Sequence, residues 1–296
     1  MSRLAPLVLF LSVAAVAAAA PDGDALAQVN GQKLTARDFE SYLAIRGLPA
    51  ELSPTLRERL LTELIDRELI RQFLERRKSE PDPEQLAAAV RAAKERLADG
   101  AEDQEAALQA LGTDVAHLRA EMALSLNWRR HVRRVVTENR LRSHFAEHRR
   151  RLDGSRVRVS QIFLKYESGE SAQKAPQTTA RLTSIRNDIA EGERSFADAA
   201  QAISQSPSAA QGGDMGWVSP QGDLPEALSM SAFSLEPDAM SDVILTPFGA
   251  HLITVTDVKP GDLSLEDARP AILEELSRQI WDETVAAERK TAKIER

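Results

Sequence analysis

The chain has 296 residues, enough for about two domains at ~100 to 200 residues each. Its 43% hydrophobic and 28% charged residues suit a packed core rather than a disordered tail. The formal charge of −7, or −8 without residues 1–20, which carry one Arg and no acid, argues against nucleic acid as the main partner. The absence of cysteine excludes disulfides, thiolate nucleophiles and Cys-ligated zinc, so the fold stands on packing.

Residues 1–20 open with Arg3, run apolar from Leu4 to Val16 and close on four alanines before Asp22-Gly23-Asp24. The run is shorter than the ~20 residues that cross a bilayer and ends in small residues suited to a signal peptidase. It reads as a cleaved export signal, with an uncleaved membrane anchor as the alternative; either puts the rest of the chain outside the cytoplasm. Next, Asn30-Gly31 between two short runs predicts a hairpin over residues 27–35. Thr35 then caps a helix from Ala36. Ser53-Pro54, a cap followed by proline, opens a helix to about Lys78. Its apolar stripe, from Leu56 through Leu60, Leu64, Ile65, Leu69 and Phe73, is too wide for one contact and calls for helices around it. Asp82-Pro83 repeats the signal for a helix with Leu86, Val90, Ala93 and Leu97 on one face, ending at Gly100. A short helix over 103–111, a longer one from Asp114 to about Val135 and a last one over 137–152 follow. Residues 36–152 therefore read as all helical.

Arginines crowd residues 129–158. Glu138, Glu147 and Asp153 interrupt them and no aromatic platform accompanies them, so a solvated helical face or interdomain surface is expected rather than a nucleic-acid or membrane patch. Within this stretch His144, Glu147 and His148 fit the H-x-x-E-H spacing of inverted zinc peptidases. Arg142, Arg149, Arg150 and Arg151 beside them oppose a dication. No metal is expected there.

At Asp153-Gly154-Ser155 the period changes from 3.6 to two. Val157, Val159, Gln161 and Phe163 fall on one face of a strand, and Arg158, Ser160, Ile162 and Leu164 on the other. A polar linker over 167–179 leads to a helix with Leu182, Ile185 and Ile189, then to a second opened by Ser195-Phe196. A glycine turn, Gln211-Gly212-Gly213-Asp214-Met215-Gly216-Trp217, follows, and then a short apolar element with Leu228 and Phe233. The run 241–245 and a last strand over 251–256 complete the order β-α-α-β-α-β-β, a small α+β domain. Ser264-Leu265-Glu266-Asp267 starts a long C-terminal helix with Pro270 in its first turns. Its apolar face is expected to pack back on the N-terminal helices.

Residues 204–217 resemble the S-x-D-P-S-A-x-x-G-G-D-L-G-W signature of the parvulin family of peptidyl-prolyl isomerases. Thr246-Pro247-Phe248-Gly249-Ala250-His251-Leu252-Ile253 resembles its T-x-F-G-Y-H-I-I. The helical region in front and the returning helix behind are similar in layout to exported chaperones of the SurA and PrsA kind. The resemblance implies an α+β fold class in which an all-helical, chaperone-like N-terminal domain accompanies a small parvulin-like domain. The corresponding spans are a signal peptide at 1–20, the helical domain at 21–155, the isomerase domain at 156–258, and at 259–296 a helix that completes the N-terminal domain.

It also implies an exported isomerase that assists the folding of unfolded or extended polypeptides containing X-Pro bonds. No cofactor, metal or nucleic acid is needed, and a membrane is involved only if the leader is uncleaved. An X-Pro amide turns over a barrier of ~20 kcal/mol, and parvulins are thought to favour the twisted amide with two histidines, an Asp or Cys, and an apolar proline pocket. Carried over to this chain, the second histidine matches His251, while the first falls at Gln161 and the acid or thiol at Ser206. The pocket falls at Leu224, Leu228, Phe233 and Phe248. Gln161 and Ser206 keep hydrogen bonds but lose a charge. At about 0.5 to 1.5 kcal/mol for a neutral bond against about 1.5 to 3 for a charged one, the loss weakens an isomerase without necessarily abolishing it. A non-enzymatic holdase that uses the domain to grip peptides is the alternative.

Overall fold

The structure, a computed structural model, describes residues 25–167 and 175–296. The expected export signal and part of the expected polar linker, residues 168–174, lie outside the described residues. The described residues form two compact units, those up to His131 with Ile280–Arg296, and those from Val132 to Gln279. The division falls inside two helices rather than at the linkers marked by the change of sequence period.

In the first unit, β1 (Ala25–Val29) and β2 (Gln32–Thr35) pair antiparallel around Asn30-Gly31. Thr35 caps α1 (Ala36–Ile45) through a capping box with Asp38, which satisfies two end groups of the helix at once. α2 (Pro54–Arg76) and α3 (Pro83–Leu97) start where the cap and proline pairs predict. Asp103 caps α4 (Gln104–Ala110), and α5 (Val115–Val135) follows. The wide stripe of α2 is divided between neighbours. Ile65 and Leu69 pack with Ala27, Val29 and Leu34 of the hairpin, and Leu60 packs with Phe39, Tyr42 and Leu43 of α1. Only its end is bare, with Leu56 exposed.

The C-terminal residues close this unit. α11 (Leu265–Arg289) starts from the Ser264–Asp267 box, carries Pro270 internally, and belongs to the unit from Ile280 onward. There Trp281 meets Trp128 edge-on, Arg289 pairs with Asp66, and Arg76 with Glu288. Beyond the helix, β7 (Ile294–Glu295) pairs with β1 to make the sheet order β2-β1-β7. Two residues are too few for a periodic signal, so this strand has no mark in the sequence. Among the described residues no helix is long and apolar enough to cross a membrane.

The second unit holds α6 (Glu138–Glu147), α7 (Arg149–Leu152), the first half of α11 and a four-stranded sheet. The expected helix over 137–152 is broken at His148, which serves as both the end of α6 and the start of α7. His144 is bound to Glu275 at 2.8 Å and stacks edge-on against His148. Arg151 shares the same Glu275, Arg150 grips Glu236 and the Leu235 carbonyl, and Arg149 faces Asp153. These pairings make that part of the arginine run a clasp within the unit. No group of His, Cys, Asp or Glu among the described residues could hold a metal ion.

The sheet order is β4-β3-β6-β5, all antiparallel. Central β3 (Arg156–Leu164) and β6 (Gly249–Lys259) are flanked by β4 (Asp214–Val218) and β5 (Ile244–Thr246). α8 (Pro176–Ala190) starts inside the stretch expected to be linker, because Pro176 occupies its first turn with its fixed φ. α9 (Phe196–Ile203) follows the Ser195 cap, and α10 (Glu226–Ser234) follows β4. Each sheet face carries its own core. Ile162, Leu164, Ala250 and Leu252 pack against α8 and α9; Val157, Val159, Ile253 and Val255 pack against Leu228, Ala232 and Phe233 of α10.

Candidate functional site

Strand alternation puts Gln161 and Phe163 on the same face of β3 as Val159, beyond the end of the α10 core. β6 brings His251 to that face beside Ile253, with His251 opposite Phe163 in the register. The third member arrives by a different device. α9 ends at Ser204, whose hydroxyl accepts the Phe163 N–H at 3.1 Å, and the Gln205 N–H donates to the Phe163 carbonyl at 2.7 Å. These bonds lash residues 204–206 alongside β3. A short 3-10 turn, Ala209–Gln211, then leads into the glycine turn. There the Gly213 carbonyl accepts the Gln161 N–H at 2.9 Å. Gly213 has φ +87°, and a Cβ would lie 2.5 Å from the Gln161 carbonyl oxygen; no other residue allows so close an approach.

The result is a continuous polar run. Ser208 and Ser206 hydroxyls are 3.0 Å apart, Gln161 Nε2 donates to Ser206 Oγ at 2.9 Å, and Gln161 Oε1 lies 3.4 Å from His251 Nδ1. His251 Nε2 lies 2.9 Å from Thr246 Oγ1, which also reaches the Gly249 carbonyl at 3.2 Å. His251, Ser206 and Thr246 are 6%, 7% and 4% exposed. The run meets solvent chiefly through half-buried Gln161 and Phe163.

Burial alone pushes the His251 pKa down to about 4, since removing water penalises the imidazolium. The ring is therefore neutral at physiological pH, with one N–H to give and one lone pair to receive it. With Gln161 oriented as above, His251 Nδ1–H donates to Gln161 and Thr246 donates to Nε2, which leaves the Gly249 carbonyl without that proton. Reversing the Gln161 amide reverses the run. Ser206 then donates to Gln161, Gln161 to Nδ1, Nε2–H to Thr246 and Thr246 to Gly249, and the Ser208 hydroxyl gives its proton either to Ser206 or to the Gly213 carbonyl, each at 3.0 Å. Either direction satisfies the imidazole, and no ionised group stands in the run.

The structure thus brings Gln161, Ser206 and His251 together. Of the four residues expected to form a proline pocket, Leu228 and Phe233 are buried in the α10 core and Leu224 packs half-buried against it, beside Met215. Phe248, on the turn between β5 and β6, lies outside this cluster and is 69% exposed. Sequence reasoning missed Thr246 and Phe163 as members of the site. Thr246 stands five residues before His251 in the same motif, and Phe163 shares the strand face of Gln161, so both are legible in the sequence. Tyr166, whose hydroxyl donates to the Thr246 carbonyl, gave no signal.

Residues 162–257 match the Rotamase family, described as the PPIC-type PPIASE domain. The chain is 34% identical over 144 residues to the Chaperone SurA of Cupriavidus metallidurans, covering 47% of this chain and 29% of that one. It is 40% identical over 93 residues to the Chaperone SurA of Bordetella parapertussis, covering 31% of this chain and 18% of the relative. The chain therefore spans less than a third of the length of either curated relative. Among solved structures, the peptidylprolyl isomerase PrsA from Bacillus anthracis is 19% identical with a TM-score of 0.46, covering 78% of this chain and 96% of that one. Signature turn, histidine strand and the match to the PPIC-type PPIASE domain coincide on residues 162–257, about a third of the chain.

Proposed function

We propose that this chain is an exported folding factor whose residues 156–258 bind X-Pro segments of unfolded polypeptides and speed their cis–trans isomerisation. The observation that carries this reading is the unbroken hydrogen-bonded run from Ser206 through Gln161 and His251 to Thr246, drawn from three separate stretches of sequence. No bond is broken in the reaction and no proton need move. The twisted amide has lost conjugation and carries more localised charge on its oxygen and nitrogen. A site that is already dry and already oriented answers that charge without reorganising. Gln161, half-buried at the mouth of the run, is the donor placed to meet it, with His251 and Ser206 behind it. Leu224 and Phe248 offer apolar surface to the proline and its neighbours, while Leu228 and Phe233 support the site from the core. Export rests on the leader-like residues 1–20, and the helical domain, residues 21–155 with the returning C-terminal helix, holds the client.

Losing an ionisable partner for His251 lowers the rate relative to a charged cluster by about ten- to several-hundred-fold, through the difference between neutral and charge-assisted hydrogen bonds. The test is a prolyl isomerisation assay on a short X-Pro peptide by NMR exchange or protease coupling. Wild type faster than buffer and His251→Ala slowed to the uncatalysed rate is the expected result; wild type no faster than buffer removes the enzyme. In that case the second reading stands, a non-enzymatic holdase. It is favoured by the burial of Leu228 and Phe233, which leaves them little surface for a proline. It predicts slower aggregation of an unfolded client by the full chain without any isomerisation.

A further inference from the structure

One aromatic ring beside the site has geometry that the polar run alone does not explain. The Phe163 ring lies face to face with the His251 imidazole, centroids 4.7 Å apart and planes 28° from parallel. Gly249 clears the space it fills: a Cβ there would lie 2.5 Å from Phe163 Cε2 and 2.3 Å from the Leu164 carbonyl oxygen. Backbone bonds to Ser204 and Gln205 pin the Phe163 main chain on both sides, so the ring stands on a fixed base beside His251. The polar run holds His251 only at its two nitrogens, and one of those contacts is 3.4 Å long. Two edge contacts, one of them long, hold the plane softly, and the ring packed against the face stiffens it.

We propose that Phe163 is a positioning residue of this site, setting the plane of the His251 imidazole and keeping water off its face. The proposal rests on the reading of the cluster as a prolyl-isomerase site and adds to it the element that stands in for a charged partner. A ring caged by Phe163 stays dry and in register with Gln161 and Thr246 without an ion to hold it. The depressed pKa of His251 has burial as its cause, and Phe163 supplies a flat part of that burial.

The experiment uses the full chain with 15N-labelled histidine. The His251 ring nitrogens are titrated by NMR in wild type, Phe163→Leu and Phe163→Tyr, beside the isomerisation assay. Phe163→Leu keeps an apolar side chain but removes the flat face. It is expected to raise the His251 midpoint by about one pH unit as water reaches the ring, to change the balance of tautomers, and to lower kcat/KM about tenfold, mainly in kcat. Phe163→Tyr is expected to behave as wild type in all three. A His251 midpoint and tautomer balance unchanged in Phe163→Leu overturns the proposal, and so does Phe163→Tyr failing in step with it. Should Phe163→Leu not fold, Phe163→Met takes its place with the same two outcomes. Wild type without isomerase activity counts against the proposed function, while the titration still decides the place of Phe163.

Discussion

His117 in the helical unit and His251 in the sheet unit show what one side chain becomes in two settings. His117 stands between two carboxylates, 3.3 Å from Asp38 and 2.8 Å from Asp114, and so joins the first turns of α1 and α5. The hydrogen bond to Asp38, with that to Asp114 and both charges, raises its pKa against the effect of burial. His251 has an amide and a hydroxyl for neighbours, and burial lowers its pKa to about 4. Burial penalises the imidazolium at both places; the carboxylates overcome that penalty only at the first. The helical unit sets its histidine where the imidazolium is favoured and ties two helix starts together with it. The sheet unit uses it as a neutral hydrogen-bonding plate.

The largest effect should come from closing the space on which the neutral site depends. Gly249→Val places a branched side chain where Leu164 and Phe163 leave 2.3 and 2.5 Å, with the backbone at φ +152°, and is expected to cost about 3 to 5 kcal/mol, the range of severe core strain. Hydrogen exchange should show β3 and β6 losing protection while α2, in the other unit, retains it. Full protection of β3 in the variant would mean that the fit around Phe163 is looser than the geometry states.

Next in size is a pH ramp read by the same method, because the two histidines respond with opposite sign. His251 has a folded pKa below its unfolded value near 6.5, so its contribution is whole above about 6.5 and lost as pH falls toward about 4. On linkage this amounts to on the order of 3 kcal/mol for the sheet unit. His117 has a folded pKa above its unfolded value, so its contribution is whole below about 6.5 and lost as pH rises through the folded value. From pH 8 to 6.5 the α1 and α5 amides should gain protection with those of β6 unchanged; from 6.5 to 4 those of β6 should fall. Protection of β6 that is flat down to pH 4 would contradict a dry, neutral His251.

Much of this contrast was legible in the sequence, and the part that was not has a physical reason. Thr35, Ser53 and Asp82 announced their helices because capping is a contact between residues two or three apart. The β3 alternation placed Gln161 and Phe163 on one face for the same local reason, and Gly213 marked the turn that receives Ser206. The stacking of Phe163 on His251 depends on residues 88 positions apart in sequence, meeting through a strand register that only pairing fixes. His117 reads as a lone helical histidine because Asp38 comes to it from 79 positions away. β7 is invisible because two residues carry no period. The burial of Leu228 and Phe233 follows from how α10 seats on the sheet, which their apolar character alone leaves open between pocket and core.

The smallest effect sharpens the comparison most, because it isolates the carboxylate clasp from burial. In His117→Gln an amide of similar reach can still bond Asp38 or Asp114 but carries no charge at any pH. Asp38 already accepts the Thr35 N–H and hydroxyl at 2.7 and 2.6 Å, and Asp114 pairs with Arg37 at 2.8 Å, so neither carboxylate is orphaned. Burial raises the Asp38 pKa, yet bonds from His117 and Thr35 bring it down to about 2. Removing the cation should therefore lift it only part of the way back, and the acid limb of stability, lost as pH falls through that value, should start slightly higher. Because His117 is partly exposed, the loss below pH 6.5 should stay under about 1 kcal/mol, the ordinary worth of such pairs. The diagnostic outcome is the shape of the curve: the gain in α1 and α5 protection between pH 8 and 6.5 should vanish while the β6 limb between 6.5 and 4 is untouched. If the gain persists in His117→Gln, another group carries it, and the contrast between a clasping and a neutral histidine fails at its first member.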